Sequence, residues 1–238
     1  MDQRLFDDNW TLEFFKFLQN KNLSIEYFNK KRKIIFYGPD HKKILSIRIS
    51  ITLNFLEEKS DLLGTDFLNY ILILIKAGMA SLAFFENSMM TDHKVFRAYM
   101  VRKKQGKSQL KYLKTKGKSR AGSRVRLAES EAFFSSINER LNTYFENYRI
   151  DLVGLSCSET LIPYFYNSSI SSPFEKKDPR LFKIPKHVAS PKLENLMGLD
   201  IYLKRNFIEM ETEGLPLFEE FAASYGKKEN DNQEDDSW

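Results

Sequence analysis

Cysteine occurs once in this chain, at Cys157, and histidine three times, at His41, His93 and His187. A single thiol excludes an intramolecular disulfide and any zinc site built from several cysteines, so nothing demands an oxidising compartment. The histidines share no ligand spacing, and no metal or other cofactor is expected. Long apolar runs are missing too. The longest, Ile71–Ile75, is far too short to cross a bilayer, and the first ten residues lack the basic start and apolar run of a signal peptide. A cytoplasmic setting without a membrane partner is the expectation.

The most informative absence is local. Between residues 93 and 128 there is no Asp or Glu, whereas thirteen Lys or Arg crowd into that stretch of a chain whose net charge is only +5. Lys103-Lys-Gln-Gly-Lys-Ser-Gln109 and Lys116-Gly-Lys-Ser-Arg-Ala-Gly122 lie inside it. Such a concentration is the electrostatic footprint of a surface that meets phosphates, because each neutralised phosphate releases condensed counterions. Gly, Ser, Gln and Thr separate the charges, which reads as a pliable loop rich in hydrogen-bond donors. A polybasic membrane helix would interleave apolar residues instead. Nucleic acid is the expected partner, ahead of a merely solvated loop or an anionic lipid.

What remains is ordinary globular material. With 238 residues and 42% hydrophobic content the chain can bury a substantial core. Trp10, Phe14, Phe17 and Leu18 at helical spacing predict a short opening helix over 10–19. Residues 33–37 and 44–50 read as strands joined by a turn at Gly38-Pro39, and 52–68 are ambiguous. Residues 70–75 and 79–85 form an expected hairpin with a central first strand, and a third strand follows over 94–101. The basic loop runs from there to a helix opening near Val125, with Phe133, Ile137, Leu141, Tyr144 and Phe145 on one face. Residues 151–155 predict a strand reached by a long crossover, residues 181–185 a last strand, and residues 191–209 a second major helix in which Gly198 is a weak point. The pattern is α/β. The expected divisions are an N-terminal helical extension over 1–32, an α/β domain over 33–210, and an acidic, disordered tail over 211–238.

The repeated Gly-Lys-Ser does not make a P-loop. Val101 and Tyr112 occupy the places where the leading glycine is needed. Asp92 and Glu129, at the margins of the basic stretch, read as surface or helix-start charges. Cys157 and His93 read as packing or surface residues rather than as nucleophile and base. Phe96, Tyr99, Phe133 and Phe134 read as core, while Tyr112, inside the basic stretch, is the candidate for stacking on a base. Gln109 has an amide that does not titrate yet can orient a water or hold an oxygen where charge develops. Gly106 permits close approach and Ser108 adds a hydroxyl. On chemistry alone, Gln109 reads as one more polar residue in an RNA-binding loop.

The ordered combination His93-Lys-Val-Phe-Arg-Ala-Tyr-Met-Val-Arg-Lys-Lys-Gln-Gly-Lys-Ser-Gln109, then Ser119-Arg-Ala-Gly-Ser-Arg-Val-Arg-Leu127 and its helix, resembles the bacterial release-factor-like branch of a superfamily. That superfamily is related to the middle domain of the eukaryotic peptide-release factor and to the tRNA hydrolase of ribosome quality control. The resemblance spans residues 43–209. It implies a ribonuclease-H-like mixed sheet with flanking helices and a long basic catalytic loop that reaches the CCA end of tRNA on the ribosome. Where decoding release factors carry Gly-Gly-Gln, Gly106 matches the first glycine and Gln109 the glutamine, with Lys107 and Ser108 between them. The implied catalytic residues are Gln109, Gly106 and Ser108. The implied RNA-binding residues begin with Arg102, Lys103, Lys104 and Lys107, continue with Lys111, Tyr112, Lys114, Lys116 and Lys118, and return with Arg120, Arg124 and Arg126. The implied partners are the ribosome, through its large subunit, and peptidyl-tRNA. The implied activity is peptidyl-tRNA hydrolysis or peptide release in ribosome rescue. Endonucleolytic cleavage of the tRNA 3′ end, and a noncatalytic ribosome- or RNA-binding module, are its alternatives.

Overall fold

The structure, a computed structural model, describes residues 2–98 and 118–235. The chain divides into two compact units, one formed by residues 1–66 with 200–238 and the other by 67–199. This division differs from the expected one. The boundary at 32/33 is absent because strands from both ends of the chain hydrogen-bond into one sheet.

In the first unit, β1 (Asp2–Phe6), β2 (Ser24–Phe28), β3 (Lys33–Tyr37), β4 (Lys43–Arg48) and β12 (Asn206–Met210) form a five-stranded sheet in the order β1-β12-β4-β3-β2. Every pairing is antiparallel. Alternation places Ile34 and Phe36 of β3, Leu45 and Ile47 of β4, and Ile208 and Met210 of β12 in the core. Helix α1 (Asp8–Gln19) starts where the Asp7 side chain accepts the Trp10 amide at 2.9 Å. Its Phe14 and Leu18 belong to the same core cluster, with Trp10 and Phe17 packed against it, as the periodicity of 10–19 predicts, and Phe15, outside that spacing, is buried there too. The stretch left ambiguous over 52–68 contains a small hairpin, β5 (Leu53–Leu56) and β6 (Asp61–Gly64).

Two expectations fail in this unit. Residues 206–209 do not continue a helix; they are in β12, between β1 and β4. Phe, Ile and Met suit either state over so short a run, and the alternate burial of Ile208 and Met210 is visible only once the neighbouring strands are in place. The tail is not disordered over its expected length, because Leu215–Asp235 forms a helix whose Phe218 and Phe221 are buried. Phe221 meets Trp10 edge-on at 5.0 Å between centroids.

The second unit is a mixed sheet in the order β11-β10-β7-β8-β9. Strands β7 (Tyr70–Lys76) and β8 (Met79–Glu86) form the expected hairpin, with Gly78 at φ 75° in its turn. Strand β9 (Met89–Arg97) begins earlier than the pattern suggests, after a second tight turn in which Asn87 and Ser88 both adopt positive φ. The long helix α2 (Lys118–Asn147), which opens earlier than the expected start near Val125, then crosses over to β10 (Leu152–Cys157), which pairs in parallel with the central β7. Strand β11 (Leu181–Lys183) pairs in parallel with β10, after the five-residue helix α3 (Ile162–Tyr166) and a Ser-rich connection. Helix α4 (Leu193–Leu203) contains the boundary between the units. The whole is therefore α/β, but with two five-stranded sheets in place of the single sheet expected.

Phe133, Phe134, Ile137, Leu141 and Tyr144 of α2 join Ile71, Ile73, Leu82, Phe84 and Phe96 of β7, β8 and β9 in one core cluster. Each fully buried aliphatic side chain contributes about 1.5–3 kcal/mol. This places α2 firmly on the sheet beside the strand that leads into the basic stretch.

Candidate nucleic-acid interface

Strand β9 pairs with β8 from Met89 opposite Glu86 to Arg97 opposite Met79, and the Ala98 amide then donates to the Gly78 carbonyl at 3.0 Å. The chain thus enters the basic stretch from a strand held along its whole length. It returns through α2. Residues 99–117 lie outside the described residues, and with them Arg102, Lys103, Lys104, Gly106, Lys107, Ser108, Gln109, Lys111, Tyr112, Lys114 and Lys116. Tyr99 lies there too.

The expected end of the loop does shift. Lys118, Arg120, Arg124 and Arg126 lie in the first turns of α2, not in a loop, so the Ser119-Arg-Ala-Gly122 segment, expected inside the loop ahead of a helix opening near Val125, has helical backbone. Arg, Ala and Leu are good helix formers, and no proline interrupts them. One Gly costs about 1 kcal/mol, which a helix anchored on a core can absorb.

Behind these residues, β9 and α2 are joined by a polar cluster. Asp92 of β9 accepts hydrogen bonds on one oxygen from the Arg140 guanidinium and from the Tyr144 hydroxyl, both on α2. The Arg140 guanidinium also lies over the Tyr144 ring, 5.1 Å from its centroid. Arg140 and Tyr144 are four positions apart and so share a helix face. Burial opposes the charge on Asp92, yet the hydrogen bonds from Tyr144 and Arg140 and the Arg140 charge hold its carboxyl below the usual aspartate range. Burial, followed by the Asp92 hydrogen bond, pushes the Tyr144 phenol well above its ordinary value. Asp92 is thus a fixed carboxylate that joins strand to helix. It is neither a helix-start residue nor an unattached surface charge. The sequence held one usable signal for the pair, the i, i+4 spacing of Arg140 and Tyr144 on the amphipathic helix.

Asn138, fully buried one turn from Leu141, donates through its amide to the Phe165 carbonyl at 2.8 Å, the Ser168 hydroxyl at 2.8 Å and the Ile170 carbonyl at 2.9 Å. Ser135 and Ser169 share a further hydrogen bond at 2.7 Å. The Ser-rich stretch after α3 is therefore bound along α2.

The remaining candidates are placed plainly. Phe96, Phe133 and Phe134 are core, as expected. His93 is exposed on β9, His41 is exposed at positive φ between β3 and β4, and His187 is exposed after β11. Among the described residues no group of His, Cys, Asp and Glu is placed to hold a metal ion. Cys157 ends β10, and burial pushes its thiol up to about 11, which keeps it protonated at neutral pH. Glu129 lies within α2. Lys94 is exposed on β9 beside Phe96, with its ammonium 5.6 Å from the ring centroid. Among the described residues no helix is long and apolar enough to cross a membrane.

A solved structure entitled "Vms1 mitochondrial localization core" is similar to this chain at 11% sequence identity and a TM-score of 0.39, covering 88% of this chain and 91% of that one. No curated protein matches. A family model described as bVLRF1, Bacteroidetes VLRF1 release factor, matches residues 70–208, a span that begins with β7, includes the whole basic stretch and α2, and ends inside β12. That match covers more than half of the chain, and the protein belongs to the Bacteroidetes VLRF1 release factor family.

Proposed function

We propose that this protein is a ribosome-associated peptide-release or rescue factor that hydrolyses peptidyl-tRNA at its CCA end through Gly106, Ser108 and Gln109. One observation carries the reading. The acid-free basic stretch leaves from β9 and returns as α2, and those two elements are fixed to one another by a shared core and by Asp92, Arg140 and Tyr144. A basic segment set between rigid elements suits contact with a polyanion held elsewhere, and the family description names a release factor.

In this mechanism the basic side chains from Arg102 to Arg126 bind the phosphates of the CCA end and release counterions. Gly106 lets the backbone approach the terminal adenosine. The Gln109 amide accepts a hydrogen bond from a water and aligns its oxygen on the ester carbonyl carbon. A bond forms between that oxygen and the carbonyl carbon, the bond to the ribose 3′-oxygen breaks, and the 3′-oxygen takes the proton released by the water. A glutamine does not titrate, so it acts by position and by stabilising developing charge, not as a strong base. Ser108 adds a hydrogen bond at the same place.

The order of the second sheet supports a ribonuclease-H-like reading of the fold. Its first three strands form an antiparallel meander, the fourth joins the first in parallel on its other side, and the fifth joins the fourth in parallel. The proposed setting is the cytoplasm, where ribosomes work, with the large subunit as the docking partner. Incubation with peptidyl-tRNA on stalled ribosomes tests the reading, with released peptide and the tRNA 3′ end resolved separately. Peptide release with intact tRNA supports hydrolysis. A shortened tRNA identifies the endonuclease alternative, and binding without either product identifies a noncatalytic module.

A further inference from the structure

The groove between β9 and α2 lies outside the basic stretch to which catalysis is assigned. It has a volume of about 330 Å³ and is lined by Lys94 and Phe96 of β9 and by Ser136, Glu139, Arg140 and Thr143 of α2. That volume is at the lower end of the roughly 300–1,000 Å³ usual for ligand pockets. It opens to solvent, with Lys94, Ser136, Glu139 and Thr143 all exposed.

Its chemistry divides into cations and acceptors. Among the described residues no carboxylate lies within ion-pair distance of Lys94, so its ammonium is available to an anion. Arg140 is fixed by Asp92, which cancels much of its charge but also sets the guanidinium in one place. On α2, Arg126 precedes Arg140 by close to four helical turns, and Lys118 by close to six, so both positions share the helix face of Arg140. Strand β9 is at the end of its sheet, and its outer backbone groups have no strand partner among the described residues.

The acceptors are equally specific. The Ser136 hydroxyl donates its one proton to the Ala132 carbonyl at 2.9 Å, and the Thr143 hydroxyl donates to the Glu139 carbonyl at 3.1 Å. Each hydroxyl oxygen keeps lone pairs that can accept from an incoming donor. The Glu139 carboxylate accepts as well. A phosphate alone would meet these acceptors with repulsion. A ribose 2′-hydroxyl would donate its one proton to one of them while the adjoining phosphate met Lys94.

We infer that the β9–α2 groove is a ribose-phosphate site that holds a single-stranded RNA backbone and discriminates RNA from DNA through the 2′-hydroxyl. Lys94 neutralises a phosphate, Phe96 supplies the apolar floor under the sugar, and Ser136, Glu139 and Thr143, three and four positions apart on α2, each accept one proton from the 2′-hydroxyls of neighbouring nucleotides. The inference rests on the reading of the chain as RNA-acting and adds a docking track beside the proposed catalytic segment.

Fluorescence anisotropy on the full chain tests it, with a labelled single-stranded RNA ending in CCA and a DNA of the same sequence as probes. The proteins are wild type, Lys94→Ala, Lys94→Glu and the double variant Ser136→Ala with Thr143→Val. All three positions changed are exposed, and circular dichroism with thermal melting checks that each variant folds. The expected result is tighter binding of RNA than DNA by wild type. Lys94→Ala lowers the slope of log K against log salt by about one, and Lys94→Glu weakens RNA binding roughly tenfold. The double variant loses RNA preference but keeps its DNA affinity. If wild type binds RNA while the Lys94 variants match it in affinity and salt slope, or if the double variant keeps the RNA preference, the groove inference is overturned and the functional proposal stands. If wild type binds neither probe at low salt, the RNA-acting reading itself falls.

Discussion

Arg140 of α2 donates a hydrogen bond to Asp92 of β9, and through it the helix that follows the basic stretch is tied to the strand that precedes it. Tyr144 donates to the same carboxylate oxygen. The cluster therefore fixes the two described flanks of the stretch with one another, independently of what the stretch binds.

Asp92→Asn should destabilise the protein by about 1–2 kcal/mol, the size of a partly exposed charge-assisted pair. Because the folded-state carboxyl of Asp92 is held below its usual range, its contribution is present above the unfolded aspartate value. It is lost as pH falls through the lower folded value. Urea unfolding of wild type and variant across acidic pH should therefore show a gap at neutral pH that closes on acidification. A gap that stays constant with pH would show that the charge is not what matters.

Asn138→Ala removes an amide whose two N–H protons are shared among three acceptors of the Ser-rich stretch, and leaves the Phe165 and Ile170 carbonyls without that partner. A cost of about 2–3 kcal/mol is expected. Chemical denaturation measures it, and faster hydrogen exchange over residues 165–171 would locate it.

Gly214→Ala should be poorly tolerated. A Cβ built there falls 2.7 Å from the backbone carbonyl oxygen of Ile44, which cannot step aside as a side-chain tip can. About 1–3 kcal/mol of destabilisation is expected from such overpacking. Gly198→Ala is the internal control, since nothing lies within 4 Å of a Cβ at that helical position. A melting temperature for Gly214→Ala equal to that of Gly198→Ala would rule out the clash.

Replacing Lys103, Lys104 and Lys107 together by Gln should weaken RNA binding of every sequence alike. The slope of log K against log salt should fall by about 2–3, since each phosphate contact contributes about 0.7–0.9. A loss confined to one RNA sequence would point to base reading instead.

Much of the second unit was legible in the sequence because its signals are local. Gly78 sets one hairpin, the continuous apolar run of β7 marks a central strand, and Phe133 through Tyr144 keep helical spacing on α2. In the first unit α1, β3 and β4 were legible for the same reason, but the full sheet was not, because it joins β1 and β12 from opposite ends of the chain, and no short window contains that pairing. The tail misled for a related reason. Its acidic composition after Lys227 resembles disorder, whereas Phe218 and Phe221, ahead of it, anchor the helix on Trp10 and Phe14. At the candidate site, the basic stretch was legible from charge alone. Asp92 was not assigned its role, because a carboxylate bound to Arg140 and Tyr144 across a strand–helix contact looks, in sequence, like any surface acid.

The most direct measurement compares wild type with Gln109→Ala on stalled ribosomes that carry labelled peptidyl-tRNA, following both released peptide and tRNA length. The expected result is peptide release with full-length tRNA by wild type, and a loss of at least about 100-fold in Gln109→Ala with ribosome binding retained. Equal release by the two proteins would contradict the role given to Gln109.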